Sequence, residues 1–316
     1  MRLMKNYIYL GNSAYCYSNS AAMLLASIGE NILPSYLEVI GGVGIGAYSL
    51  PETNIAFLSG YSGLPDKAIS RALTTIGFNF VEKAQDDPNT PPFDDIREII
   101  KKSPVVFGPL DMGYLSYDPD YKHHSGIDHF VFVYDIENET ANLHDPAGFP
   151  NVTIDLSKLA LAWKAEKIQY KEGYYRYWTL PKRVNHPTND EIYNRSIKNF
   201  QEIYIIGEKY AKEKGKIIDD AAILLMADNV ENKKLSQSDI GMLTGFVFPL
   251  GARRTSDFSN FFKPYNFDLA DLKENESRML GICQSKSLEG NWHTVSETLK
   301  KVAGIEKQFK KLLLSL

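Results

Sequence analysis

The chain has 316 residues, 44% of them hydrophobic and 23% charged, which is enough to build about two ordinary globular domains. Net charge is −4, and residues 1–185 carry 16 Lys and Arg against 21 Asp and Glu while residues 186–316 carry 19 against 18, so neither half offers the basic face that duplex nucleic acid requires. Two cysteines, Cys16 and Cys283, exclude a disulfide framework or a cysteine-rich zinc site.

At the N-terminus, Arg2 and Lys5 precede an apolar run, Ala21 to Ala26, that is too short for a signal-peptide core; Ser18, Asn19 and Ser20 interrupt it on the N-terminal side. No run reaches the length of a membrane span. These features predict a cytoplasmic protein with no membrane partner. Ala14 to Ile28 reads as a helix, capped by Asn12 or Ser13 and stopped by Gly29. "GGVGIGAYSLP" (41–51) is a glycine-rich loop. Pro65-Asp66 opens a helix that Gly77 ends, and 93–102 makes another. "PVVFGPLDM" (104–112) reads as a strand. In "HFVFVYDIENETANLHDPAG" (129–148) alternating residues mark a hairpin that turns at Glu137-Asn138-Glu139. "YYRYWTLP" (174–181) is a further strand. After "VNHPTNDE" the chain turns almost wholly helical, with helices over 190–213, 217–229, 236–246, 256–262, 269–286 and 292–314. In the last, Leu299, Val302, Ile305, Phe309 and Leu312 form one apolar stripe for the core or for an interface between copies, which leaves a homo-oligomer open. The expected fold class is α+β, with domains at 1–185 and 186–316.

Three residues in this pattern carry chemistry. A cysteine attacks as its thiolate, and the start of a helix, with roughly half a positive charge, favours the anion. Cys16 sits at such a start. His129 opens the first strand of the hairpin and Asp145 closes the second, so the two lie nearly opposite each other, where a carboxylate can orient an imidazole and stabilise its charge. Bringing Cys16 to them requires tertiary structure.

A cysteine at the start of the first helix, followed far downstream by "HFVFV" and "HDP" in a hairpin, resembles the papain-like cysteine enzymes. Among them the chain is similar to the bacteriocin-leader peptidases, and closer to the butirosin biosynthesis protein H family of acyltransferases. "NSAAMLLASIGENILPSYLEVIGGVGIG" resembles that family's helix and Gly-rich segment, and "GARRTSDFSNFF" (251–262) resembles a motif of its helical second domain. The resemblance implies a papain-like domain, an N-terminal helix plus antiparallel sheet, followed by an all-helical domain. It also implies catalysis by Cys16, His129 and Asp145 without a cofactor, an acyl carrier protein as donor, a small-molecule amine as acceptor, and a setting in peptide or antibiotic-type secondary metabolism.

Two departures bear on the reaction. Papain-like peptidases usually carry a Gln about six residues before the cysteine as oxyanion donor; that position is Leu10, and Asn12 is the nearest amide, beside the backbone N–H of Cys16. Tyr17 stands where a Gly usually follows the cysteine. Both weigh against a peptidase or amidase, and neither weighs against acyl transfer from a thioester. The remaining alternative is a non-catalytic binding protein with a decayed cleft. His123, His124, Asp128 and His129 lack the spacing of a metal site, so no metal is expected. The 41–46 glycines lack a phosphate-loop lysine and read as a turn, with Gly44 lining the cleft. Arg253 and Arg254 are candidates to grip an acidic group on a substrate or carrier. Cys283, inside an amphipathic helix, is packing.

Overall fold

A computed structural model describes residues 6–11, 14–49 and 53–316. In chain order it contains α1 (Cys16–Ala26), α2 (Pro34–Gly41), the short strands β1 (Tyr48–Ser49) and β2 (Ala56–Phe57), α3 (Pro65–Thr75), β3 (Phe78–Gln85), α4 (Phe93–Ile100), β4 (Val105–Asp111), β5 (Asp128–Glu137), β6 (Thr140–Asp145), β7 (Phe149–Asp155), α5 (Leu156–Lys164) and β8 (Tyr174–Arg183). The helical remainder is α6 (Asn189–Lys214), α7 (Asp219–Glu231), α8 (Gln237–Met242), a π turn at Leu243–Val247, α9 (Phe248–Phe262), α10 (Phe267–Leu288) and α11 (Trp292–Leu314). The fold is thus mixed α and β, with a sheet region toward the N-terminus and a helical region toward the C-terminus. No helix among the described residues is long and apolar enough to cross a membrane.

The chain divides into two compact units: 1–37 with 65–187, and 38–64 with 188–316. The change of texture expected at 185/186 falls beside the observed one. The linear division is nevertheless corrected, because the segment 38–64 joins the helical unit.

In the first unit, six antiparallel strands lie in the order β3-β8-β4-β5-β6-β7. β4 is buried along its whole length, as the apolar run from Val105 to Leu110 requires of a central strand. α4 and α5 supply Ile96, Leu159 and Trp163, which pack with Val105, Phe107, Val131 and Val133. Phe107 stacks on Trp163 at 3.8 Å, and the indole N–H is satisfied by the Arg176 carbonyl at 2.7 Å. α1 is buried from Tyr17 to Leu25, so its polar residues are interior ones. Ser20 donates to the Phe130 carbonyl at 3.2 Å, and Tyr17 meets the Phe130 ring edge-on. These two contacts fasten α1 to β5. Sequence periodicity missed β3, β7, α2 and α5. β3 and β7 are half-exposed, and their alternation is broken at Lys83 and Pro150.

The second unit has two cores. Ile223 and Met226 of α7, Leu280 and Cys283 of α10, and Leu299 and Val302 of α11 share one. Phe200 and Tyr204 of α6, Phe258 and Phe262 of α9, and Phe309 and Leu313 of α11 share the other. α9 starts at Phe248, eight residues before the expected start, because Pro249 fits the first turn of a helix. The expected stripe on α11 is rotated: Glu306 and Leu313 are buried in place of Ile305 and Leu312. The glycine-rich segment packs into this unit. Gly42 has φ +75°, and a β-carbon there would lie 2.5 Å from Ile203. The segment is tied down where the Asp219 N–H donates to the Ala47 carbonyl at 2.7 Å.

Candidate active site

Cys16 is the first residue of α1. Tyr15 before it adopts the left-handed conformation, φ 58° and ψ 43°, which is costly for a tyrosine and turns the chain sharply into the helix. Asn19 holds that turn: its amide donates to the carbonyls of Ala14 at 2.7 Å and Tyr15 at 3.0 Å. The first turn of α1 contains no acidic residue, so the positive end of the helix is left uncancelled beside the thiol. Cys16 is half-buried. Cys283 is wholly buried, and burial pushes its thiol up to about 12.

His129 and Asp145 are both buried. His129 Nε2 donates to Asp145 Oδ1 at 2.6 Å. The hairpin register pairs Phe132 with His144, so Asp145 falls across from Val131 and meets His129 on the diagonal, one step from the directly opposed pairing expected. Burial opposes a charge on the imidazole, but the Asp145 carboxylate outweighs it, with Cys16 adding to the same side, and the pKa of His129 stands well above the ordinary histidine value. Burial likewise works against the Asp145 anion, and His129, the Ala147 N–H and the Tyr117 hydroxyl together hold its pKa below the usual value. Cys16 lies near enough to His129 to act on its charge. Because Asp145 engages Nε2, Nδ1 is the ring nitrogen left for the thiol.

The carboxylate has further support. Asp145 Oδ1 accepts the Ala147 N–H at 2.7 Å, Oδ2 accepts the Tyr117 hydroxyl at 2.8 Å, and the Asp145 carbonyl accepts the Tyr9 hydroxyl at 3.0 Å. Next to the imidazole in sequence, Asp128 accepts the Tyr170 hydroxyl at 2.7 Å. Burial first, then Asp128, raises the pKa of that hydroxyl well above the tyrosine value, with Cys16 among the charges acting on it. Sequence reasoning gave none of Asn19, Tyr117 or Tyr170 a role at the site. Only Asn19 left a signal, as a polar side chain in the first turn of an otherwise apolar helix.

The other expected site residues fall elsewhere. Asn12 lies outside the described residues. Leu10 has no side-chain donor to replace the Gln. Gly44 and Arg254 belong to the second unit, where a β-carbon on Gly44 would lie 2.9 Å from Phe258 and 3.2 Å from the Arg254 side chain. Arg254 is buried and its Nε donates to Glu38 Oε1 at 2.8 Å. Within that unit Arg254 is packed and ion-paired, and Gly44 packs beside it. Arg253, one step round the helix, is exposed. The histidine-rich cluster does not converge: His124 Nδ1 faces Asp118 at 3.1 Å, Asp128 faces Tyr170, and His129 faces Asp145. Among the described residues no group of three His, Cys, Asp or Glu is placed to hold a metal ion.

Fold and site together define a mixed α and β protein whose sheet-bearing unit gathers a cysteine, a histidine and an aspartate, accompanied by a helical unit. Comparison with known proteins places it further. The family described as the YobF C-terminal domain matches residues 212–314, within the helical unit. The uncharacterized protein YobF of Bacillus subtilis (strain 168) is 40% identical over 307 residues, covering 97% of this chain and 98% of that protein. The chain belongs to the YobF family.

Proposed function

We propose that the protein is a cysteine-dependent acyltransferase of papain-like type. The observation that carries the reading is the Cys16–His129–Asp145 constellation: a half-buried thiol at a helix start, an imidazole near it, and a buried carboxylate on the far ring nitrogen. The Cys16 sulfur attacks the carbonyl carbon of a thioester donor held on a carrier protein. As the donor C–S bond breaks, the departing thiol takes a proton from His129 and the acyl group stays on Cys16. An amine then attacks the acyl-enzyme, His129 accepts its proton, the bond to Cys16 breaks, and an amide forms. Asp145 orients the ring and stabilises its charge throughout. First-turn N–H groups of a helix lack intrahelical acceptors, so the Cys16 N–H is a donor for the oxyanion.

Leu10 in place of the Gln and Tyr17 in place of the Gly favour transfer from a thioester over peptide cleavage, because a thiol leaves more easily than an amine. The resemblance to the butirosin biosynthesis protein H family supports the same reading. The proximity of Cys16 to His129 weighs against a decayed, non-catalytic cleft. The test is incubation with acyl thioesters and a pool of amines, read by mass spectrometry. An acyl adduct on Cys16 and amides that form only with amine present are expected. Hydrolysis with no amide, or cleavage of added peptides, assigns a hydrolase, and no adduct at all removes the enzyme reading.

A further inference from the structure

The segment between β4 and β5, "MGYLSYDPDYKHHSGI" (112–127), is the one polar stretch near the triad to which the proposed reaction assigns no task. It is highly ordered by its own hydrogen bonds. Asp111 Oδ1 accepts the N–H groups of Gly113 and Gly126, both at 2.8 Å, and so clamps the two ends of the loop together. Leu115 is fully buried and packs with the sheet core. The Asp118 N–H donates to the Leu115 carbonyl at 2.9 Å, and the Asp118 carboxylate accepts the Asp120 N–H at 2.9 Å and faces His124 at 3.1 Å. Between these anchors stands Tyr117, its ring edge-on to Phe149 at 5.7 Å and its hydroxyl on Asp145.

We infer that Tyr117 is a positioning residue of the triad and that the 112–127 loop is built to present its hydroxyl to Asp145 Oδ2. The inference rests on the triad reading above and is independent of which acyl group is moved. The donor count around Asp145 carries it. Oδ1 receives both the His129 Nε2–H and the Ala147 N–H, and these two bonds leave the second oxygen to a single side-chain donor, Tyr117. A carboxylate held through one oxygen can swing about its Cβ–Cγ bond; held through both, it is locked in the plane that meets the imidazole. Loss of the Tyr117 hydroxyl also strands a buried anionic oxygen without its donor, which is costly in a low-dielectric site. A tyrosine hydroxyl accepts as well as donates. It can therefore support an asparagine at 145 by accepting from the amide, whereas a phenylalanine supports neither residue.

The experiment compares the wild-type chain, Tyr117→Phe, Asp145→Ala and the double variant. Two readouts need no acyl donor: the rate of Cys16 alkylation by iodoacetamide at neutral pH, and the downfield proton resonance of His129 Nε2–H. Tyr117→Phe keeps the ring against Phe149, and thermal melting checks its fold. Phe149→Leu, which disturbs the packing and spares the hydroxyl, is the control and should leave the resonance in place. Tyr117→Phe is expected to slow alkylation about tenfold and to shift the resonance. In the Asp145→Ala background the same change should have no further effect. Equal slowing in both backgrounds, or an unchanged resonance in Tyr117→Phe, overturns the inference. If wild-type Cys16 reacts no faster than an ordinary thiol, the enzyme reading is what fails, and the resonance comparison alone still decides the role of Tyr117.

Discussion

Each unit buries a cluster of charged side chains, and the two clusters end differently. In the helical unit, Lys273 donates to Glu276 at 2.7 Å and to Glu306 at 3.1 Å, and its ammonium lies 4.0 Å from the centre of the Phe309 ring. Tyr204 donates to the other oxygen of Glu306. All four polar side chains are buried, and each meets another member of the same cluster. In the sheet unit, the chain of contacts runs from Tyr117 through Asp145 and His129 to Cys16, and Cys16 is half-buried. A closed cluster can only hold the helices in place. An open one delivers its electrostatics to an atom that a reagent can reach. Buried charge is thus no mark of a site by itself; the proposed function rests on the half-buried thiol at the open end. The two cysteines repeat the contrast, because burial alone silences Cys283.

The hardest test of this contrast is chemical labelling. Iodoacetamide is expected to modify Cys16 well below pH 8 and to leave Cys283 untouched in the folded protein, and Cys16→Ala should remove the modification altogether. Peptide mapping by mass spectrometry reads both sites. Comparable labelling of the two cysteines would break the distinction between an open and a closed cluster.

Next in size is a stability effect on the helical unit. Lys273→Met removes the only cation bonded to Glu276 and Glu306 among the described residues and leaves two buried carboxyls without it, which should cost about 3–5 kcal/mol. Urea denaturation measures it. A loss under about 1 kcal/mol would mean that the cluster is wetter than its burial implies.

Asp145→Ala frees the His129 ring and should lower single-turnover acylation roughly a hundredfold. Asp145→Asn should stay much closer to wild type, because its amide oxygen still accepts from Nε2 and its nitrogen can turn toward the Tyr117 oxygen. Circular dichroism confirms folding before the rates are compared. Acylation by Asp145→Ala at the wild-type rate would reduce Asp145 to a turn residue and the triad to a dyad.

What the sequence disclosed follows the range of the signals. The hairpin, the body of the first helix, the Gly77 stop and the final helix were legible because period-2 alternation, 3.6-residue spacing and stop residues are local; the first helix opens at Cys16 and not at the expected Ala14, with Tyr15 at its N-cap and no side-chain cap. The His129–Asp145 pairing was legible for the same reason, since a tight turn brings both ends of one hairpin together; the turn pairs Glu137 with Thr140, and the register shift between Val133 and Asp135 sets Asp145 across from Val131, on the same face as His129 and on its diagonal. The membership of 38–64 in the helical unit was not legible. It depends on Gly42 approaching Ile203 and on Asp219 bonding Ala47, contacts across more than 150 residues that no window spans. The burial of Arg254 was not legible because a doubled arginine reads as a solvated pair until its partner, Glu38, 216 residues away, is seen. Tyr117 was invisible because nothing near it in sequence points at Asp145.

The last effect expected is a pH dependence, and it separates the clusters by sign. Burial raises the Glu276 carboxyl from 4.5 to about 7, so the folded chain keeps a proton there that the unfolded chain releases. Its contribution to stability is complete below about pH 4.5 and is lost as pH rises through about 7. Asp219, raised by burial from 3.8 to about 6, acts in the same direction over a lower window. Asp145 has the opposite sign: its depressed carboxyl contributes above the ordinary value of 3.8, and the contribution is lost as pH falls through its folded value. His129 adds a loss of its own only above the ordinary histidine value of 6.5, as pH rises through its raised one. Asp66 of the sheet unit, raised by burial from 3.8 to about 6, acts in the same direction as Asp219, so between about pH 4.5 and 6.5 these three carboxyls share the decline. Stability from urea denaturation across that window should fall with rising pH, by on the order of several kcal/mol. Glu276→Gln, which keeps the shape and cannot ionise, should flatten about a third of that slope and leave the acid limb set by Asp145 where it was. An unchanged slope in Glu276→Gln would move the proton to another carboxyl of the cluster, with Asp219→Asn as the variant that then has to flatten it.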